Sequence, residues 1–193
     1  MLRRVRSGGL HGAVTAPSQA AIRRLDAVSD DDVAGLVDVL LDCVAGGASV
    51  GFMATLGREG AEAFWRRVGA SVEAGERALL VAEDELGIVG TVQLHLATPD
   101  NQPHRADLAK MLVHRRARRR GLGAALVRAA EQTALEHGRT MLVLDTVTGS
   151  DAERLYARRG WNPIGSIPGY ALMPDGAPCA TTVFYKELDP ATT

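Results

Sequence analysis

Residues 105–127, RADLAKMLVHRRARRRGLGAALV, decide how the rest of the chain is read. The apolar run from Leu108 to Val113 has the length and composition of a strand core. It enters an arginine-rich turn, which opens at Gly121-Leu122-Gly123 onto an alanine-rich amphipathic helix. Glycines let backbone N–H groups approach a ligand closely, and the helix dipole favours negative charge there. Arginines add fixed positive charge, so the turn is suited to hold a phosphate. Its spacing, Arg118-x-x-Gly121-x-Gly123, is neither the longer Walker-type loop nor the dinucleotide Gly-x-Gly-x-x-Gly.

Outward from this turn, the pattern predicts one domain over 20–188, with tails at 1–19 and 189–193. The 193 residues suffice to bury a real core, and a 46% hydrophobic fraction is ordinary for a globular chain. The net charge of −1 argues against a whole-chain polyanion binder, so the basic cluster at 114–120 acts locally. That cluster has no interleaved aromatics, which disfavours nucleic acid as the partner. Cys43 and Cys179 lie far apart without His or Cys neighbours at ligand spacing, so neither a disulfide framework nor a metal site is expected. A reducing cytoplasm fits this usage. The first residues lack the apolar core of a signal peptide, and no window reaches the ~20 apolar residues of a membrane span. Arginine-for-lysine usage and abundant alanine hint at a bacterial source.

A first strand is expected within 21–28. Ser29 caps a helix whose stripe is Val33, Leu36, Val37, Leu40, Leu41 and Val44, stopped by Gly46-Gly47. A second helix is predicted over 60–74. Strands follow at 79–83 and 88–97, then at 107–113, with a helix over 121–137. The run 141–147 reads as a central strand, and Ser150-Asp151-Ala152-Glu153 as a capping box opening a short helix that Gly160 closes. Two last strands are expected at 164–167 and 181–188. The segment 165–180, punctuated by Pro168, Gly169, Pro174, Gly176 and Pro178, reads as a long functional loop. The strand–helix–strand crossover from 107 to 147 demands a parallel pair in a largely antiparallel sheet.

The turn at 118–123 resembles the signature of the GNAT N-acetyltransferase superfamily, Gln/Arg-x-x-Gly-x-Gly/Ala. Ala152-Glu153-Arg154-Leu155-Tyr156-Ala157-Arg158-Arg159-Gly160-Trp161 resembles its later motif, Ala-x-x-x-Tyr-x-x-x-Gly-Phe. The resemblance covers about 80–188. Residues 144–146, 149–150 and 168–176 are also similar to the tabtoxin-resistance type of small-molecule acetyltransferase. The resemblance implies an α/β fold with a mixed, largely antiparallel central sheet, helices on both faces, and a splay between parallel fourth and fifth strands. It implies acetyl-coenzyme A as co-substrate, no metal, and an amine acceptor of small-molecule or amino-acid-like type.

Within that resemblance, the cofactor would meet Arg118, Arg119, Arg120, Gly121, Leu122, Gly123, Ala124 and Ala125. Arg118 and Arg120 are better phosphate candidates than Arg115 and Arg116. The pantetheine arm would meet the backbone of Met111, Leu112 and Val113, which can equally be plain core strand. The later motif often carries an asparagine where Gly149 stands, and Ser150 would replace its contact. Tyr156 would protonate the departing sulfur; as a helix residue it can also be a simple core tyrosine. Asp107 and Asp145 are the candidate bases, the first near where relatives carry a glutamate, the second interrupting an apolar strand. Asp145 could alternatively hydrogen-bond near Thr148. His95 is a candidate relay or a structural strand histidine. Tyr170 is expected on the acceptor side, with a homodimer contact as the rival. An acyl-coenzyme A-binding regulatory domain without turnover is the alternative function.

Overall fold

The parallel pair predicted from the crossover lies near the middle of a seven-stranded sheet ordered β1-β2-β3-β4-β5-β7-β6. In chain order the elements are β1 (Ala21–Leu25), α1 (Asp30–Ala45), α2 (Arg58–Glu73), β2 (Arg77–Asp84), β3 (Gly87–His95) and β4 (Arg105–Val113). A 3-10 turn at Arg115–Ala117 leads to α3 (Leu122–Glu136), β5 (Met141–Val147), α4 (Asp151–Arg158), β6 (Asn162–Leu172) and β7 (Pro178–Glu187). This computed structural model describes residues 20–96 and 99–190; the tail expected at 1–19 lies outside them. All pairings are antiparallel except β4 with β5.

One apolar layer packs α3 and α4 on the sheet through Leu80, Val92, Leu94, Leu108, Leu126 and Leu142. The other packs α1 and α2 through Leu36, Val37, Leu40, Trp65, Val68 and Leu79. The helix stripes read from the sequence therefore face the sheet, with Leu41 only partly buried. Ser29 caps α1 through a full box with Asp32.

A β-bulge in β4 positions everything that follows. Thr91 pairs with Leu112 and Gln93 with Ala109, so Lys110 and Met111 share one place on the ladder. Lys110 takes φ +49°, a left-handed conformation rare for a side chain of this size. The extra residue switches the facing of the strand. Leu108 belongs to the α3 layer, whereas Leu112 belongs to the α1–α2 layer. Beyond the bend, β4 leaves β5: their parallel pairing covers only Arg105–Asp107 against Met141–Val143.

Two sequence expectations are corrected. The segment 165–180 is no long loop, because β6 and β7 form a ribbon joined by a turn at 173–177. The glycines and prolines mark register shifts between Pro163/Gly165 and Ile167/Ala171, where Gly169 has φ +63°. Such punctuation suits a bulged edge strand as well as a loop. Ser150 does cap α4, accepting from the Glu153 N–H at 3.1 Å. The reciprocal half of the box is displaced, since Glu153 accepts from the Gly149 N–H and from the Thr182 hydroxyl, each at 2.6 Å.

Candidate active site

The arginine turn becomes a concave row of amide donors. Arg119 (φ +61°) and Gly121 (φ +77°) are left-handed, which turns successive N–H groups toward one side. Among the described residues, no acceptor receives the backbone N–H groups from Arg119 through Ala124. The helix ladder begins with Ala125, which donates to the Gly121 carbonyl at 3.1 Å. These donors open the N-terminus of α3, so the site combines a nest with a helix dipole.

The arginines divide by their partners. Arg115 donates to Asp42 at 2.8 Å, and Arg116 pairs with Asp84 at 2.5 Å. Both are absorbed in holding the turn onto α1 and β2. Arg118 lies along the strand instead: its Nε donates to the Val113 carbonyl at 2.9 Å and its guanidinium reaches the Cys43 sulfur. That side chain tethers the turn to β4, and the Val113 carbonyl is not free for a ligand. Arg119 and Arg120 are exposed and make no side-chain hydrogen bond among the described residues, which leaves them the free cations beside the amide row.

Below the turn, the splay exposes the inner edges of β4 and β5. Asp145 stands on β5 past the last β4–β5 pair, opposite Val183 on β7, and is exposed. Leu142 and Leu144 face the α3 layer, so alternation turns Asp145 toward the α1–α2 side. Thr148 bonds the Thr182 hydroxyl at 2.8 Å, and no such bond joins it to Asp145. Asp107 sits at the last β4–β5 pair, with its carboxylate 2.6 Å from the Arg105 guanidinium. Its cross-strand partner His95, opposite it on β3, lies 3.0 Å from the Arg77 guanidinium. Burial first, and Arg77 second, hold the His95 imidazole below its usual pKa, so the neutral ring accepts from Arg77.

Tyr156 projects from α4 under the end of β5 and is 4% exposed. Its ring packs on Trp161 and Phe184, with centroids 5.6 and 6.2 Å away. Burial, seconded by the Asp145 charge, pushes its hydroxyl pKa up, so the group is held as a proton donor. Gly123 touches the same helix: a Cβ there would stand 3.2 Å from Leu155 Cδ2. Ser150 is spent in capping α4. Tyr170 is 57% exposed on the ribbon, whose tip docks on the α1–α2 loop through Ser49 to Leu172 at 2.7 Å and Ala54 to Pro174 at 2.9 Å.

Lys110 was not among the residues singled out in the sequence. Its Nζ sits 5.9 Å from the ring centres of both Phe52 and Phe64. Burial lowers its pKa, and Asp145 opposes that shift. The available signal was faint: Lys110 is a charge within a strand core, and one of two lysines among 22 basic residues.

An amide row at a helix start, a strand splay beneath it and a buried tyrosine at its side stand together in this fold. Residues 51–161 match the acetyltransferase (GNAT) family, and the chain belongs to it. The uncharacterized N-acetyltransferase of the hisH-hisA intergenic region of Azospirillum brasilense is 32% identical over 130 residues, 66% of this chain and 76% of that protein. An N-acetyltransferase structure from Staphylococcus aureus Mu50 superposes with a TM-score of 0.73 at 14% identity, over 89% of this chain and 100% of that one. The yncA structure of Salmonella typhimurium, with its cofactor acetyl-CoA, superposes at 0.71 with 19% identity, over 91% and 98%. The protein is an N-acetyltransferase of mixed α/β architecture. No helix among the described residues is long and apolar enough to cross a membrane.

Proposed function

We propose that this enzyme acetylates the amine of a small-molecule acceptor by direct attack, with Asp145 as base and Tyr156 as acid. The observation that carries the reading is the position of Asp145: an exposed carboxylate on β5 within the splay, close enough to bias the Tyr156 hydroxyl. Acetyl-coenzyme A supplies an acetyl group activated as a thioester. The N–H groups of Arg119 to Ala124, with the Arg119 and Arg120 guanidiniums, fit its pyrophosphate. The unpaired edge of β4 at Met111 and Leu112 fits the amide-bearing arm.

Asp145 takes the proton that the acceptor nitrogen gives up as it bonds the acetyl carbon. Tyr156 gives its proton to the sulfur as the C–S bond breaks. Asp107 is the weaker base, because Arg105 holds its carboxylate in a bond that proton uptake would have to break. Cys43 is buried against Val113 and Arg118, and Cys179 lies on the ribbon. Neither stands in the splay, which favours direct transfer over an acyl-cysteine route. Pairing of Arg115 and Arg116 to aspartates also weakens a nucleic-acid reading of the basic turn.

Release of free thiol from acetyl-coenzyme A in the presence of an amine panel, with product masses, tests the reaction. Amine-dependent thiol release with a mass gain of one acetyl group is expected. Binding without turnover of any amine would overturn it.

A further inference from the structure

Building on the acceptor-side reading above, we propose that Lys110 is a specificity-determining residue that binds a carboxylate carried beside the acceptor's amine. Four observations converge on it. The first is backbone geometry. A non-glycine residue at φ +49° is strained, and such conformations gather where a side chain must be aimed for function. The bulge takes this one out of the regular alternation, past the end of the β4–β5 pairing, and its ammonium lies beside Phe52, Phe64 and Gly51.

The second is the state of the ammonium. Lys110 makes no hydrogen bond or ion pair with a described residue, although it is partly buried among Phe52, Phe64 and the backbone of Gly51. An added Cβ on Gly51 would lie 3.4 Å from Nζ, so the loop passes close over the charge. An ammonium removed from much of its water with its three donors unspent is poised for an anion, since a charge-assisted hydrogen bond is stronger in such a setting.

The third is composition. The only other lysine, Lys186, is bound by Glu131 at 2.8 Å and the Arg159 carbonyl at 3.0 Å. In a chain that uses arginine for almost every cation, both lysines occupy partly buried positions that suit a compact head on a slim stem.

The fourth is charge arrangement. Lys110 on β4 and Asp145 on β5 present opposite charges across the splay, at more than ion-pair distance yet close enough for each to be felt. An acceptor with an ammonium toward Asp145 and a carboxylate toward Lys110 matches both. The ring faces of Phe52 and Phe64 leave an apolar wall for the rest of the molecule. The class of acceptor is thus an amino acid or a close analogue with a free carboxylate.

The test compares α-amino acids with their own amides, which keep the amine and lose the negative charge. Two measurements are made on wild type and Lys110→Met: kcat/KM for acetyl transfer, and calorimetric binding to the enzyme saturated with coenzyme A. Wild type is expected to favour acids over amides by about ten-fold or more, and Lys110→Met to bring the ratio near one, mainly through KM. Acid-selective, Lys110-dependent binding without any transfer would uphold this inference while overturning the proposed reaction. Equal handling of acids and amides by wild type would overturn it, whether or not the variant folds. Retained preference in folded Lys110→Met would do the same. So would acetylation of Lys110 itself with acetyl-coenzyme A alone, which would make it an acceptor.

Discussion

Gly123 in α3 and Leu155 in α4 are in van der Waals apposition: a Cβ on the glycine would stand 3.2 Å from Leu155 Cδ2, with Met111 behind it at 3.8 Å. The second glycine of the arginine turn therefore serves two purposes. It belongs to the amide row, and it lets the helix carrying Tyr156 close on the start of α3.

That contact predicts how substitutions at Gly123 divide. Gly123→Ala needs a shift of a few tenths of an ångström in a flexible leucine, so stability should fall by less than about 1 kcal/mol. Gly123→Val adds two more methyls against the same neighbour and should cost about 1–3 kcal/mol while weakening acetyl-coenzyme A binding. Leu155→Ala in the valine background should restore part of the stability. Urea unfolding and calorimetry check this; a valine variant with wild-type stability and affinity would show that the interface is looser than the structure indicates.

The arginine turn gives a second prediction. Arg119→Ala and Arg120→Ala should each weaken acetyl-coenzyme A binding several-fold, with a shallower salt dependence, because they remove free charge beside the amide row. Arg116→Ala should leave that affinity alone and cost no more than about 1 kcal/mol, as expected for a partly exposed pair with Asp84. Titrations at low and high salt separate the two groups.

The contrast among these arginines shows where sequence reading stopped. The run of basic residues and the Gly-x-Gly spacing located the turn that opens α3, because strand, glycine and helix signals are local. The partners of Arg115 and Arg116 are Asp42 and Asp84, distant in the chain, so their structural role was visible only after folding. Lys110 was missed for a related reason. Periodicity assumes an unbroken two-residue alternation, and a bulge of one residue flips it. The middle of the ribbon, between the expected strands at 164–167 and 181–188, was misread as loop because glycine and proline signal interruption of a ladder without saying whether the strand resumes.

Tyr156 carries a prediction about alkaline stability. Its pKa is raised in the folded state, so above the unfolded value of about 10 the unfolded chain releases the proton first. Its contribution is fully present below that pH and is lost as pH rises, at up to about 1.4 kcal/mol per pH unit. Tyr156→Phe should remove this part of the decline between about pH 9 and 11. Near neutrality its stability should match wild type, since the ring keeps its packing on Trp161 and Phe184. If the hydroxyl is the acid, kcat should still fall by about 10- to 10⁴-fold with acetyl-coenzyme A binding intact. Full turnover in the phenylalanine variant would assign the rate to alignment between the strands alone.

The two aspartates are separated by the last prediction. Asp107 is tied to Arg105 at the end of the β4–β5 pairing, whereas Asp145 stands exposed where the strands have parted. Asp107→Asn should break an ion pair whose side chains are 26% and 39% exposed, which costs less than about 1 kcal/mol. The shape of its pH–rate profile should be unchanged. Asp145→Asn should leave stability nearly intact and lower kcat by about 10²- to 10⁴-fold, with loss of the acidic limb, because the group that must be ionised to take the amine's proton is gone. The same variant should also ease the ionisation of Tyr156, since the neighbouring negative charge that opposes it has been removed. An acidic limb that survives in Asp145→Asn and vanishes in Asp107→Asn would reverse the assignment and move the base to the closed end of the splay.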